Sequence, residues 1–261
     1  MFTKQATEVA STFALLGWRF LIALVVMTSL ILLKAVKIDL KGKNLKTLIL
    51  VALFCPCIYF IAETIGISNT TSSESGVVLA CIPVASLIAS TSILKKKPSK
   101  IQVTGILITL VGVIVTVLAV GMSSSLSPVG YMFLVVAVIS YSLYCVFVDK
   151  ATEFSGAEIT FVMLIAGAIL CVALALVEAI TNGTVIALIQ LPFVETTFLT
   201  AILYQGIGCS VIAFFMSNIA IANIGVNRTS SFIGVATVVS ILAGAVVIII
   251  GVYVANMRVK E

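Results

Sequence analysis

The sequence predicts an all-α integral membrane protein with about eight transmembrane helices, and two observations lead to this fold class. First, 61% of the 261 residues are hydrophobic and only 10% are charged, whereas soluble domains average about 45–50% apolar and about 25% charged residues. Second, the apolar residues are concentrated in successive runs, each near the length of about 20 residues that a helix needs to cross a bilayer. Because lipid offers no hydrogen-bond partner to the backbone, such runs are satisfied only as helices.

The apolar runs follow one another along the chain, with short polar links between them. The first run is too long for the apolar core of a signal peptide and carries no small-residue cleavage site, so we predict that it is retained as a span. The predicted helices cover residues 12–33, 47–67, 75–94, 101–120, 129–148, 157–180, 198–222 and 229–254.

The basic residues predict how these helices are oriented. Nine of the 15 Lys and Arg residues lie in the links 34–46 and 95–100, and cytoplasmic links carry such an excess. Lys150 and Arg228 fall in links on the same side. We therefore expect the cell membrane as the location, with the N-terminus and the links 68–74, 122–128 and 181–197 outside. The net charge of +5 is then explained by the lipid bilayer as partner, without nucleic acid.

The sequence lacks the usual signs of an enzyme or of a bound cofactor. It has no His, which removes the commonest general base and the commonest transition-metal ligand. It has no Gly-rich phosphate loop, no paired carboxylates and no nucleophile with a base, so we expect neither catalysis nor a cofactor nor a metal. All six Cys lie in apolar runs, where free Cys packs as a small hydrophobe. The pair Cys55-Pro56-Cys57 leaves open an intramembrane Cu(I) site, since soft thiolates favour that ion.

Glu63 is the most informative residue, because it lies inside the second apolar run. A charged side chain there costs on the order of 2.5–3.5 kcal/mol unless it faces a cavity, is protonated or is paired. Helical spacing places Tyr59, Phe60 and Pro56 on its face, a mixture suited to a cavity wall. Pro56 is also expected to kink the helix. We predict that Glu63 binds substrate or protons; the alternatives are a carboxyl wetted at the outer interface or paired with Arg19.

Further residues are candidates for the same site. Arg19 keeps its charge at any physiological pH, so it is suited either to an anionic group of the substrate or to an ion pair with Glu63. Tyr141 and Tyr144 share a helix face, and aromatic faces either line small-molecule sites or simply pack. Asn218 can hydrogen-bond a substrate or brace neighbouring helices. The predicted substrate- or proton-binding residues are Glu63, Arg19, Tyr59, Tyr141, Tyr144 and Asn218.

The two halves of the chain contain a weak internal repeat. Residues 57–86 align with residues 211–240, and we place Glu63 opposite Asn218. The first copy starts from the cytoplasmic side and the second from the outside, so the halves are predicted to have opposite topology. Inverted repeats of this kind build transporters whose binding site lies between the repeats near mid-membrane.

Four segments resemble the corresponding spans of one known family. They are WRFLIAL (18–24), IPVASLIAS (82–90), GILITLVGVIVTV (105–117) and ISYSLYCVFVDK (139–150). In this order they are similar to the EamA-type transporters of the drug/metabolite transporter (DMT) superfamily. The resemblance implies ten helices in two inverted five-helix repeats, and the export or import of metabolites, amino acids or drugs.

The resemblance also implies an organisation for this chain. Residues 1–122 would be a first EamA-like repeat without its first helix, and residues 129–261 a second repeat with a shortened C-terminal helix region. The implied function is secondary transport of a small-molecule substrate by alternating access, with proton coupling as one possibility. The alternative is a truncated, non-transporting membrane protein or a subunit of a hetero-oligomeric transporter. A homo- or hetero-dimer is left open.

Overall fold

The computed structural model describes residues 2–95, 98–120, 127–230 and 232, and every regular element in these ranges is helical. This confirms the all-α class. Two π-helical segments, Leu53–Ile58 and Tyr204–Ala213, interrupt longer helical runs. The α-helices are α1 Phe2–Val9, α2 Thr12–Leu32, α3 Lys46–Ala52, α4 Tyr59–Ser68, α5 Ser72–Leu79, α6 Ile82–Leu94, α7 Lys100–Val120, α8 Pro128–Lys150, α9 Gly156–Thr181, α10 Val185–Val194, α11 Thr196–Leu203 and α12 Phe214–Ile224.

Six helical runs in the described ranges are long and apolar enough to cross a membrane. They are Thr12–Leu32, Lys46–Ser68, Ser72–Leu94, Pro128–Lys150, Gly156–Thr181 and Thr196–Ile224. Each agrees with one predicted span to within a few residues. The predicted span 101–120 corresponds to α7, of which Val103–Gly112 is a shorter apolar stretch. The predicted span 229–254 lies almost entirely outside the described residues.

Two short helices were not predicted from the sequence. α1 precedes the first span, and α10 lies within the link 181–197 that we interpreted as a plain connection. The sequence of α10, VIALIQLPFV, is apolar throughout, but ten residues are too few to cross a bilayer at about 1.5 Å per residue. The sequence therefore shows that α10 is apolar, but it does not show that α10 lies at the end of the bundle.

The first π-helical segment confirms the interruption that Pro56 predicted. Proline has no backbone N–H to donate and its ring crowds the preceding turn. Cys55, immediately before it, has φ −144° and ψ 115°, outside the helical region. The second segment has no proline, but Gly206 lets it approach α2: a Cβ at this position would lie 3.0 Å from the Arg19 carbonyl oxygen.

The core lies where α2, α4, α8, α9 and α12 meet, and its largest fully buried side chains include Phe20 and Tyr144. Gly167 on α9 permits the closest packing there, since a Cβ would lie 2.6 Å from the Phe20 ring and 2.8 Å from the Pro56 ring. The outward faces of the spans are apolar instead of polar; Ile169, for example, is 68% exposed. An apolar exterior over several helices is the surface that a lipid environment requires.

On the side that the charge pattern places in the cytoplasm, one ion pair ties two links together. Lys43 Nζ donates to both carboxylate oxygens of Glu158, at 2.9 and 2.8 Å. Glu158 also accepts a hydrogen bond from the Asp39 backbone N–H at 3.0 Å, and it forms a capping box with Ser155 at the start of α9. The link between α2 and α3 is thereby held against the first turn of α9.

Candidate functional site

A cavity of about 550 Å³ lies between the two halves of the chain. Its lining includes Thr3, on the helix before the first span, and Tyr204, in the half of the span Thr196–Ile224 that the charge pattern places nearer the outside. Binding cavities for small molecules typically measure about 300–1,000 Å³, so the space is sufficient for a metabolite. Its lining residues are Thr3, Arg19, Tyr59, Phe60, Glu63, Tyr141, Tyr204, Gln205, Cys209, Ala213, Phe214 and Ser217.

Glu63 lines this cavity and is held by Tyr59 from the preceding helical turn. The Tyr59 hydroxyl donates to Glu63 Oε1 over 2.6 Å, a length typical of a bond to a carboxylate. The i, i+4 spacing that places both residues on one face of α4 was the basis of the prediction. Glu63 is half-buried, so its carboxyl group faces the cavity while Tyr59 restricts its orientation.

Arg19 lines the same cavity but does not form the ion pair with Glu63 that we considered. Its Nε donates to Ser210 Oγ at 2.8 Å and its Nη1 to Gln205 Oε1 at 3.1 Å. The guanidinium also lies 4.1 Å from the centre of the Phe60 ring, within the range of a cation–π interaction. In the described part of the chain the one ion pair within 4.0 Å is Lys43–Glu158, so Arg19 and Glu63 are not in direct contact here.

The geometry of Arg19 leaves it able to bind a ligand. The side chain is only 6% exposed, and its two hydrogen-bond partners and the Phe60 ring are all neutral. A guanidinium has five N–H donors, of which these two bonds use two. A buried cation with neutral partners gains most from a ligand that brings a negative charge, because such pairs are stronger than neutral hydrogen bonds.

Aromatic side chains form one wall of the cavity. Tyr59 packs against Tyr141 with ring centres 5.1 Å apart, and Phe60 packs against Phe214 at 5.5 Å. Edge-to-face and tilted contacts at these distances fix ring positions. Tyr141 was predicted as a lining residue, and the structure places it there together with Tyr59, Arg19 and Glu63.

Tyr144 and Asn218 are placed differently from the other predicted residues. Both are fully buried, and the described lining of the cavity does not include them. The Tyr144 hydroxyl donates to Asn218 Oδ1 at 2.6 Å, and Asn218 Nδ2 donates to Thr160 Oγ1 at 2.9 Å. These bonds connect α8, α12 and α9 behind the aromatic wall, the bracing that we weighed as the alternative for Asn218.

We expect Asn218→Leu to lower the free energy of unfolding by about 1–3 kcal/mol, because the buried Tyr144 hydroxyl loses its acceptor and Thr160 Oγ1 keeps only its bond to the Gly156 carbonyl. Thermal unfolding of the purified protein in detergent measures the change. Asn223→Leu is the matched control: Asn223 lies on the same helix but is exposed, and its amide donates only to the Ile219 carbonyl. Equal stability of the two variants would show that the buried contacts of Asn218 contribute nothing.

The cavity lies where the two repeats correspond. The alignment of 57–86 with 211–240 adds 154 to each residue number, since 211 minus 57 is 154. Glu63 then corresponds to Ser217 and not to Asn218, so the predicted pairing with Asn218 is wrong by one residue. Three lining residues of the first repeat thus match three of the second: Tyr59, Phe60 and Glu63 match Ala213, Phe214 and Ser217.

The two interruptions of the helices correspond in the same way. Adding 154 to the segment 53–58 gives 207–212, which falls inside the π-helical segment Tyr204–Ala213. Broken helices at matching places in two inverted repeats are where transporters expose backbone and polar groups to a substrate. Sequence reasoning predicted only the first break, because only the first contains a proline.

Sequence reasoning missed the polar residues that hold Arg19. Gln205 and Ser210 are buried inside a span, and Gln205 Nε2 also lies 3.4 Å from Thr3 Oγ1. Gln205 could have been found from the sequence, because a polar glutamine inside an apolar run indicates a binding site nearly as well as Glu63 does. The predicted span 198–222 treats the segment YQGIGCS (204–210) as regular helix and assigns its polar residues no role.

The cysteine pair gains no support as a metal site. Cys55 is buried and Cys57 half-buried. Among the described residues, no group of three or more His, Cys, Asp or Glu side chains is placed to hold a metal ion.

Comparison with known proteins identifies the family. The sequence profile of the EamA-like transporter family matches residues 1–118 and again residues 128–256. The chain is 30% identical over 250 residues to a protein of Bacillus subtilis (strain 168) named "Uncharacterized transporter YcxC", covering 95% of this chain and 80% of that one. It also superposes on a solved crystal structure with a TM-score of 0.67 at 20% identity, over 93% of this chain and 82% of the other, which shows a shared fold. With two family matches over most of its length, the chain belongs to the EamA-like transporter family of multi-pass membrane proteins.

Proposed function

We propose that this membrane protein is a secondary transporter of a small metabolite, amino acid or amphipathic drug in the cytoplasmic membrane. Its mechanism is alternating access between two inverted repeats, which run over residues 1–122 and 129–261. It catalyses no covalent reaction. The observation that carries the proposal is the cavity between the repeats, in which one carboxylate and one guanidinium face a common aromatic wall.

The charges of the cavity favour one class among these substrates. Glu63 is suited to an ammonium group, and Arg19 to a carboxylate or another anion. Tyr59, Phe60 and Tyr141 offer apolar faces between polar groups, which suits an apolar body of a few carbon atoms. A small zwitterion with an apolar side chain pairs with both charges at once. A simple cation or anion leaves either Arg19 or Glu63 without an oppositely charged partner.

The contacts on the cytoplasmic side support alternating access. The cavity extends toward the outside, while Lys43 and Glu158 hold the inner links together. Asp149 Oδ2 also accepts from the Val226 backbone N–H at 3.3 Å on that side. In the proposed cycle these inner contacts break as the outer side closes.

A thermal-shift screen of the purified protein tests the substrate class. Amino acids with apolar side chains are compared with their methyl esters, which lack the anion, and their N-acetyl derivatives, which lack the cation. We expect only the zwitterions to raise the melting temperature, since a ligand at 100 times its Kd stabilises the folded state by about 2.7 kcal/mol. Equal shifts from the esters or the acetylated compounds would contradict the two-charge site. If no compound both stabilises the protein and is taken up by proteoliposomes, the proposed transport function is wrong.

A further inference from the structure

A second binding region lies at the outer end of the bundle, away from the central cavity. It consists of two adjoining hollows beneath α10 that share Ala175 and Leu188. One is an apolar groove of about 170 Å³ on the side of the bundle. The other, which we call the polar pocket, measures about 260 Å³ and lies nearer the end of the helices; its lining is mostly apolar but includes four polar side chains, those of Ser11, Glu178, Asn182 and Thr184. Together they form one amphipathic site, with the apolar part deeper in the membrane.

The polar pocket carries a negative charge that the described part of the chain does not neutralise. Glu178 lines it together with Asn182, Thr184 and Ser11, and the Ser11 hydroxyl donates to the Glu178 carboxylate. No described Lys or Arg nitrogen lies within 4.0 Å of Glu178, since the one such pair joins Lys43 to Glu158. The pocket therefore offers an anion and neutral polar groups.

The position of Glu178 in its helix strengthens the case for a cationic ligand. α9 ends at Thr181, so the carboxylate lies in the last turn, where the helix dipole already places partial negative charge. An acidic residue there destabilises its own helix unless a cation is bound nearby. An ammonium group in the pocket would offset both the carboxylate and the helix terminus.

The apolar groove fits the rest of such a ligand. Gly17, Trp18 and Leu21 on α2 line it on one side and Val172 and Leu176 on α9 on the other. Trp18 Nε1 donates to the Leu188 carbonyl at 3.0 Å, which fixes α10 over the groove. Ile189 of α10 lines the groove and is 55% exposed, and Phe193 is 84% exposed. α10 thus presents an uncharged apolar face beside the groove, as a helix does when it lies in the membrane interface.

We propose that this site binds a phospholipid with a primary-amine head group, such as phosphatidylethanolamine, from the outer leaflet. The ammonium group donates hydrogen bonds to Glu178 and Asn182, and one acyl chain lies in the groove against Trp18. A quaternary ammonium head group carries the same charge but no N–H donor, so it satisfies the pocket less well. The site needs to cover only part of the lipid, because the remainder stays in the bilayer.

The chain contains its own reporter for this site, since Trp18 is the single tryptophan. The protein is reconstituted into phosphatidylglycerol vesicles that contain brominated-chain phosphatidylethanolamine or, at equal mole fraction, brominated-chain phosphatidylcholine. Bromine quenches tryptophan fluorescence on contact. We expect quenching of Trp18 by the ethanolamine lipid to be about two- to fivefold more effective, the range given by one exposed charge interaction at a helix terminus.

Two variants assign the preference to the pocket. Glu178→Gln keeps an acceptor for Ser11 but removes the charge, and we expect it to abolish the preference for the ethanolamine lipid. Asn182→Ala keeps the charge, and we expect it to reduce the preference; it serves as the second test if Glu178→Gln does not fold. Glu195→Gln, just beyond α10, is the matched control and should keep the full preference.

Equal quenching by both lipids, or a preference that survives in Glu178→Gln and Asn182→Ala, would overturn the proposal. The outcome is independent of any transport assay.

Discussion

Replacing Glu63 by Gln is expected to abolish proton-coupled uptake while the protein remains folded. The variant keeps the size of the side chain and an acceptor for the Tyr59 hydroxyl, whose bond to Glu63 is 2.6 Å long. What it removes is the ability to gain and lose a proton inside the cavity. A carrier that couples flux to protons through this carboxyl loses accumulation against a gradient, whereas exchange of substrate continues at lower affinity, because the amide no longer pairs with the ammonium group.

The measurement is uptake into proteoliposomes with and without a pH gradient. For the unmodified protein the gradient increases uptake; for Glu63→Gln the two conditions should give equal rates. Glu153→Gln, an exposed acidic residue in the link before α9, is the control for loss of one negative charge. Thermal unfolding shows that the variants are folded. If pH-dependent uptake survives in Glu63→Gln, the carboxyl group has no part in coupling.

Replacing Arg19 by Lys is expected to weaken substrate binding on the order of 10–100-fold, the effect of losing one strong charge-assisted hydrogen bond of about 1.5–3 kcal/mol. Lysine keeps the positive charge but not the planar fork of donors. It cannot bond to Ser210 and Gln205 in the present directions and still present donors to an anion. Arg19→Gln, which also removes the charge, should abolish binding.

Binding is measured by titrating a substrate from the thermal-shift screen, so the loss in affinity is separated from transport. The matched control is Arg228→Lys, at an exposed position on the cytoplasmic side, which should leave affinity unchanged. A zwitterion that binds Arg19→Gln as tightly as the unmodified protein would show that its anionic group lies elsewhere.

The sequence predicts the spans well because the bilayer imposes a strong and simple constraint. A run of apolar residues of sufficient length forms a helix whatever its neighbours are, and six predicted spans match helical runs in the structure. The internal break at Tyr204–Ala213 could not be predicted in this way, because no residue in it forbids a regular helix. It depends on Gly206 meeting the backbone of α2, which is a contact between distant parts of the chain.

The candidate site was predictable in its charged residues and less so in its neutral ones. Glu63 and Arg19 can be recognised in the sequence, because a charged side chain within a membrane span is costly and therefore indicates a specific role. Whether Tyr141 or Tyr144 lines the cavity depends on the rotation of α8, and residues three apart on a helix differ enough in direction for one to line the space and the other to lie behind it. The partners of Arg19 likewise became identifiable only when α2 and the second π-helical segment were seen side by side.

The correspondence between Glu63 and Ser217 has a consequence for the direction of transport. In a carrier made of two identical inverted halves, the outward-facing and inward-facing states would be related by a two-fold rotation and would have equal energy. Here the carboxyl group of Glu63 has no acidic counterpart at Ser217 in the other half, so under the proposed proton coupling its protonation shifts the balance between the two states. A carrier with this asymmetry is expected to exchange substrate without net direction when the pH is equal on both sides, and to accumulate substrate on one side when the pH differs across the bilayer.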